Sequence, residues 1–248
     1  MATSRAAGQQ PPPLSEDPRA IAQKRAAAQT AAELLRDHMR VGLGTGTTVA
    51  QLLPAIAERG LVGLRCAATS PQTERAARAL GLEVRPLDEL GELDIAIDGA
   101  DQVDPEGWLI KGGGGAHTRE KIVASAARCF VVICSEGKAV PQLSPPVPLE
   151  LLRFGVQHTL AAIGQARLRP AAAESPDGGL IADYHGPIGP PRELAARLSQ
   201  TPGVVGHGLF PPELVSLIVL AGEGGIERRR GKKPFDQEAG GAGLSSSS

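Results

Sequence analysis

Three glycine-bearing segments of this 248-residue chain gather the side chains that could do chemistry. The first is Gly42-Leu43-Gly44-Thr45-Gly46-Thr47-Thr48, just ahead of an apolar-periodic run that starts at Val49. Glycines let the backbone approach a ligand, N–H groups at a helix start favour an anion, and threonine hydroxyls add donors. Neither nucleotide fingerprint fits. Thr47 fills the third glycine position of the dinucleotide pattern, and the Gly-Lys-Ser/Thr of a P-loop is missing. The segment reads as a phosphate cradle without a nucleotide, with a structural turn as the competing reading.

The second segment runs from Asp94 to Asp104 and carries Asp98 and Asp101 where an apolar run ends. The spacing of a calcium loop is absent and no histidine lies nearby, so these carboxylates suit hydroxyl binding and proton transfer. Asp104, before Pro105, reads as a turn residue. The third segment is Lys111-Gly112-Gly113-Gly114-Gly115-Ala116-His117-Thr118-Arg119-Glu120-Lys121. Four consecutive glycines cost conformational entropy that an ordinary connection avoids, which fits a backbone closing over a ligand. Lys111 can neutralise an anion, and Glu120, in the first turn of the following helix, can reach the same crevice. The competing reading of Glu120 is a favourable partner for the helix dipole. Arg119 and Lys121 are expected to point outward.

These loops need a scaffold, and the hydrophobic pattern supplies one. Ile21, Ala28, Ala31, Leu34 and Leu35 share a helical face, and so do Val49, Leu52, Leu53 and Ile56. Strands are predicted at Val41–Leu43, Leu64–Ala67, Leu93–Ile97 and Cys129–Cys134, with helices at Thr73–Leu80 and Thr118–Ala127. That alternation predicts an α/β fold with a doubly wound, mostly parallel sheet, whose ligand loops lie at the carboxyl ends of its strands. From Val147 the order becomes strand, helix, strand, strand, helix, strand. Its members are Val147–Leu152, Gly155–Ile163, Ala166–Ala171, Leu180–Tyr184, Arg192–Leu198 and Val204–Leu209. This is the pattern of a small ferredoxin-like α+β unit. The apolar run Leu214–Leu220 then rejoins the main sheet. The expected organisation is a tail at 1–18, a catalytic domain at 19–145 plus 210–227, an inserted lid or oligomerisation domain at 146–209, and a second tail at 228–248. Arg228 to Lys233 reads as a solvated basic cluster.

Composition narrows the functions available. Lys plus Arg number 26 against 27 Asp plus Glu, so the basic balance of a nucleic-acid binder is lacking. Aromatics at 2% leave no stacking platform for single strands. No run approaches the ~20 apolar residues of a membrane helix, and Met1–Pro18 lacks a signal peptide's apolar stretch. Cys66, Cys129 and Cys134 form no Cys-x-x-Cys pair and read as buried thiols of a cytoplasmic protein.

Taken together, the segments resemble the A-type ribose-5-phosphate isomerases. The likeness runs from about Lys24 to Glu227, through the three loops, Pro146-Val147-Pro148-Leu149-Glu150, and Pro202-Gly203-Val204-Val205-Gly206-His207-Gly208-Leu209-Phe210. The resemblance implies Glu120 as catalytic base, with Asp98, Asp101 and Lys111 as further catalytic groups. It implies substrate contacts at Thr45, Gly46, Thr47, Thr48, Asp98, Gly99, Ala100, Asp101, Lys111, Gly112, Gly113, Gly114 and Lys138. Lys24 stands where the family offers a further lysine for the phosphate. The chain departs from the family pattern at His117, Gln102, Ser135, Gly206 and the turn Ser175–Gly179.

The implied reaction interconverts an aldose and a ketose phosphate in the pentose phosphate pathway, through an enediolate. One carboxylate near both carbons can carry the proton, and Lys111 with loop N–H groups can hold the oxyanion. Asp98 or Asp101 assists ring opening, and the sequence does not choose between them. No cofactor and no metal is expected, and a homodimer or homotetramer is. Two rivals share such a cradle: a sugar-phosphate sensor module, and a sugar-phosphate deaminase or acyl-CoA transferase on a related scaffold. A sensor acting on DNA needs a reading domain, and about one helix precedes Gly42.

Overall fold

The computed structural model describes residues 17–170 and 174–235. The chain opens with helix α1 (Pro18–Ala32), strand β1 (Arg40–Leu43), α2 (Thr47–Glu58), β2 (Arg65–Ala68), α3 (Pro71–Ala79) and β3 (Glu83–Val84). Then follow α4 (Leu87–Leu90), β4 (Leu93–Gly99), β5 (Gln102–Val103), β6 (Leu109–Ile110), α5 (His117–Ala126) and β7 (Ala127–Ser135). A second group comprises β8 (Val147–Leu151), α6 (Val156–Ile163), β9 (Ala166–Leu168), β10 (Leu180–Tyr184), α7 (Pro191–Gln200) and β11 (Val204–His207). The last elements are β12 (Leu209–Phe210), β13 (Leu217–Gly222) and β14 (Gly225–Arg230).

The main sheet has the order β14-β13-β7-β4-β1-β2-β3, parallel throughout except for the β13–β14 hairpin. Its central strands are near-continuous apolar runs because helices cover both faces. Alternate residues serve the two sides. Leu43, Ile95, Ile97, Val131 and Ile133 pack with Ala27, Ala31, Leu52 and Ile56 of α1 and α2. Ala96, Phe130, Val132, Ile218 and Leu220 pack with Val123 and Ala124 of α5. Each buried Leu, Ile, Val or Phe of these layers is worth about 1.5–3 kcal/mol.

Strands β8 to β11 form a separate antiparallel sheet in the order β11-β8-β10-β9. With its β-α-β-β-α-β chain order, this is the ferredoxin-like arrangement. Its core holds Val147, Leu149, Leu151, Tyr184, Leu194 and Leu198. A small sheet, β12-β6-β5, ties the two units together. Lys111 N–H donates to the Gly208 carbonyl (2.9 Å) and Gly208 N–H to that of Pro148 (2.7 Å). A Cβ on Gly208 would sit 2.2 Å from the Lys111 carbonyl, so the chains can cross here only at glycine.

Several expected boundaries shift. Val204–Leu209 is not one strand: it breaks at Gly208, and Leu209–Phe210 pairs with β6. The strand expected at Leu214–Leu220 begins at Leu217, after a 3₁₀ turn at Pro212–Leu214. Ile21 is 40% exposed, because α1 packs through small residues and turns Lys24, Ala27, Ala28 and Ala31 inward. The tail expected from 228 starts too early. Arg228, Arg229 and Arg230 pair with Val219, Ile218 and Leu217, since an outer strand can satisfy its backbone on one side and keep its charges in water. Of the expected N-terminal tail, Asp17 caps α1 by accepting from Arg19 N–H (3.0 Å) and Pro18 opens the helix. The rest of that tail, the strand expected to run on to Ala171, and 236–248 lie outside the described residues.

Candidate active site

The crevice between the carboxyl ends of β1 and β4 is where the chain's crossovers depart in opposite directions, the usual ligand position in an open α/β sheet. After β1 the backbone turns at Gly44: its N–H donates to the Ile97 carbonyl (3.0 Å), fixing the turn against β4. A Cβ on Gly44 would lie 1.9 Å from the Asp98 carboxyl, so this glycine makes room for that aspartate. Gly46 (φ +121°) then lets the chain swing into α2 at Thr47. Thr45 Oγ1 lies 2.7 Å from Thr69 Oγ1, and Lys24 Nζ, reaching across from α1, donates to Thr47 Oγ1 (2.8 Å).

Three ionisable groups meet below this rim: Asp98, Lys111 and Glu120 are 3%, 2% and 3% exposed. Asp98 Oδ1 accepts from the N–H groups of Thr45 (3.1 Å) and Gly99 (2.7 Å). Lys111 Nζ donates to the Gly99 carbonyl (2.6 Å) and sits 2.8 Å from Asp98 Oδ2 and 3.1 Å from Glu120 Oε2. The Phe210 ring backs Lys111 at 5.4 Å. Lys111 thus stands as the shared cation between the Asp98 and Glu120 carboxylates.

The protonation states follow from this packing. Burial pushes Asp98 upward, against the pull of Lys111. Burial would lower Lys111, but the charges of Asp98 and Glu120 hold it above its ordinary value. Glu120 is pushed up to about 8, by burial first and the Asp98 charge second, with Lys111 opposing. A buried carboxyl poised near neutrality beside a fixed cation suits a group that must both take and return a proton.

Above the three lies a cavity of about 360 Å³ lined by Lys24, Thr45–Thr48, Gly99–Asp101, Lys111–Gly114, Glu120 and Lys138. The structure thus brings every predicted site residue to one place, with Asp98 alone beneath the floor rather than on it. Asp101 lines the cavity, its Oδ2 accepting from Gly113 N–H (2.8 Å). A larger cleft, about 620 Å³, is lined by Thr118, Arg119 and Ile122 of α5, but its lining charges pair with one another, Arg78 with Glu74 (2.9 Å) and Arg119 with Asp177 (2.6 Å). Convergent polar groups, not volume, mark the site. Asp104 is the turn residue expected, accepting from Trp108 N–H (2.8 Å). All three cysteines are buried.

Lys121 corrects the sequence reading. It turns inward, donating to the His207 carbonyl (2.7 Å) over the Phe210 ring (4.8 Å), and burial lowers it to about 7. Four-residue spacing on α5 puts it near the packed β11–β12 junction, which the local pattern does not reveal. Arg119 does reach the surface, pairing with Asp177 (2.6 Å). His117 is wholly buried, and burial, then Lys121, push it down to about 3, so it packs as a neutral ring against Gly112. Sequence reasoning missed Arg169, whose guanidinium touches the glycine loop from the end of β9 in the four-stranded sheet. No local signal marks it.

An open α/β sheet with a phosphate-type helix start at one end of a cavity and a buried carboxylate–lysine–carboxylate set at the other defines a proton-transfer site for small phosphorylated molecules. Comparison with known proteins agrees. Residues 65–225 match the family model of ribose 5-phosphate isomerase A (phosphoriboisomerase A). Ribose-5-phosphate isomerase A of Bradyrhizobium diazoefficiens is 42% identical over 84% of this chain and 97% of its own. Ribose 5-phosphate isomerase A of Methanocaldococcus jannaschii superposes with a TM-score of 0.80 at 31% identity, covering 84% of this chain and 98% of that one. A D-ribose-5-phosphate isomerase in complex with phospho-erythronic acid superposes equally well, TM-score 0.80 at 30% identity over 84% and 98%. The chain belongs to the ribose 5-phosphate isomerase A family.

Proposed function

We propose that this protein interconverts D-ribose 5-phosphate and D-ribulose 5-phosphate, the aldose–ketose step of the non-oxidative pentose phosphate pathway. The observation that carries the reading is Lys111 Nζ held between Asp98 and Glu120 at the floor of a cavity rimmed by Thr45–Thr48, Lys24 and Lys138. The phosphate binds at the α2 start, where N–H groups and the helix dipole favour an anion, with Lys24 and Lys138 as counter-charges.

Asp101 assists ring opening. Its place on the cavity wall supports this, whereas both oxygens of Asp98 already face protein donors. Asp98 instead sets the position and charge of Lys111. Glu120 then takes the C2 proton of the open aldose. The electrons flow to the carbonyl oxygen at C1, giving an enediolate whose charge Lys111 and the N–H groups of the glycine loop stabilise. The hydroxyl proton moves from O2 to O1, and Glu120 returns its proton to C1. The small ferredoxin-like unit serves as lid and oligomerisation domain. We also propose a cytoplasmic homo-oligomer, dimer or tetramer. Three buried cysteines without a Cys-x-x-Cys pair suit a reducing compartment, and Phe154, 93% exposed, with half-exposed Leu152 suits association.

No described helix is long and apolar enough to cross a membrane, and no described cluster of three His, Cys, Asp or Glu side chains suits a metal. A turnover assay decides the function. Ribulose 5-phosphate formed from ribose 5-phosphate supports the reading; ammonia release from an amino-sugar phosphate would favour the deaminase, and binding without turnover the sensor.

A further inference from the structure

The four-glycine loop is held from outside the cavity by a residue of the other domain. Arg169 directly follows β9, and its own N–H is fixed to the Ile181 carbonyl of β10 (3.0 Å). Its Nε and one terminal nitrogen form a two-point pair with Asp183 of the same strand, at 2.7 and 2.8 Å. The other terminal nitrogen donates to the carbonyls of Gly112 (3.2 Å) and Gly113 (2.9 Å). The pair is largely sheltered, with side chains 19% and 16% exposed. A planar guanidinium can make this two-sided contact, and a lysine ammonium cannot.

The consequence lies in the peptide planes. Among the described residues the only cis bond is Pro145–Pro146, so the bonds joining Gly112, Gly113 and Gly114 are trans. In a trans peptide the N–H points opposite to the C=O. Holding both carbonyls toward Arg169 therefore turns the N–H groups of Gly113 and Gly114 the other way. Gly113 N–H does point there, to cavity-lining Asp101 (2.8 Å). Gly114 N–H, on the same cavity wall, has no partner among the described residues. Glycines choose no orientation for themselves, since without a Cβ either sense of each plane is open to them.

We propose that Arg169, anchored by Asp183, is a positioning residue for the isomerisation: it sets the peptide planes of the glycine loop so that Gly114 N–H is aimed at the substrate's reacting end and Asp101 is held in place. This rests on the isomerase reading above and makes the four-stranded sheet a working part of the site.

The test uses the full chain and the variants Arg169→Lys and Asp183→Asn, with kcat and KM for ribose 5-phosphate, thermal midpoints, and inhibition by phospho-erythronate and by inorganic phosphate. A misaimed oxyanion donor costs roughly 10²–10³ in kcat when lost outright, so Arg169→Lys should lose about tenfold or more in kcat. KM should stay within about threefold. Inhibition by phospho-erythronate, whose carboxylate takes the place of the developing oxyanion, should weaken about tenfold while that by inorganic phosphate holds. Asp183→Asn, which keeps the guanidinium but loosens its anchor, should fall between wild type and Arg169→Lys. Unchanged kcat and unchanged phospho-erythronate inhibition in folded Arg169→Lys would overturn the proposal, as would equal weakening of both inhibitors. Should Arg169→Lys not fold, Asp183→Asn decides by the same two inhibition constants. Wild-type protein that forms no ribulose 5-phosphate refutes the isomerase reading itself and not merely the role of Arg169.

Discussion

At the scale of single residues, the site turns on what burial does to Glu120. A glutamate in a helix's first turn is ordinarily an exposed dipole partner, yet here it is 3% exposed and raised to about 8. Glu120→Gln keeps shape and hydrogen bonding but removes the base, so kcat should fall by about 10²–10⁴ with KM little changed, as steady-state kinetics on the purified variant would register. The pH profile carries a second expectation. The reaction from ribose 5-phosphate needs Glu120 ionised, and protonation sets in as pH falls below its raised pKa. The kcat/KM profile should therefore decline on the acid side from near pH 8, not from the ordinary carboxylate range. Asp98 is one of the groups raising Glu120, so in the residual activity of Asp98→Asn that limb should move to lower pH. A limb that stays put would mean that another group controls it.

At the scale of elements, the β1–α2 turn is shaped by what lies behind it. Gly44 leaves room for Asp98, Gly46 supplies a left-handed turn, and α2 then presents its first N–H groups with Thr47 and Thr48. Thr48→Val removes a hydroxyl at the anion site while keeping the side chain's branched shape. KM for ribose 5-phosphate should rise several-fold, about 1 kcal/mol or more for a hydrogen bond to a charged group. The poor turnover of unphosphorylated ribose should barely change. Parallel kinetics on the two sugars check this; equal losses would make the turn structural. The β-α-β-β-α-β order of the small unit was legible because its turns and apolar runs are local signals. The break at Gly208 was not, because it follows from a crossing with Lys111 that is distant in sequence. Strand β14 was masked by its own arginines, which an outer strand can turn to water.

At the scale of the whole molecule, the two units meet over the cavity, and their electrostatics are supplied by the protein itself. Asp98, Asp101 and Asp104 could be mistaken for a magnesium site, since hard cations take oxygen ligands. They diverge in the structure: Asp98 serves Lys111, Asp101 holds Gly113 N–H, and Asp104 closes a turn on Trp108. Lys111 occupies the position of positive charge that a metal would take. Activity should survive exhaustive dialysis against EDTA, and Asp98→Asn should lose activity that added Mg²⁺ or Mn²⁺ does not restore. Recovery of a chelated enzyme by one divalent ion would move the site to metal-assisted isomerisation.

By itself the sequence determined the scaffold and nominated a candidate set of site residues. Strand and helix periods are local and set the alternation. Glycine, threonine, aspartate and lysine in the three loops are chemically narrow enough to single out Thr45–Thr48, Asp98, Asp101, Lys111–Gly114 and, just beyond, Glu120, whereas Lys24 and Lys138 were named only by the resemblance to the family. Only the tertiary structure decided how that group is wired. That Asp98 lies under the cavity and Asp101 on its wall, that Glu120 is raised and Lys121 turned inward, and that Arg169 reaches the glycine loop from another sheet all depend on burial and on contacts between distant segments. The physical reason is that desolvation and Coulombic coupling are set by three-dimensional neighbours, which no local window of sequence contains.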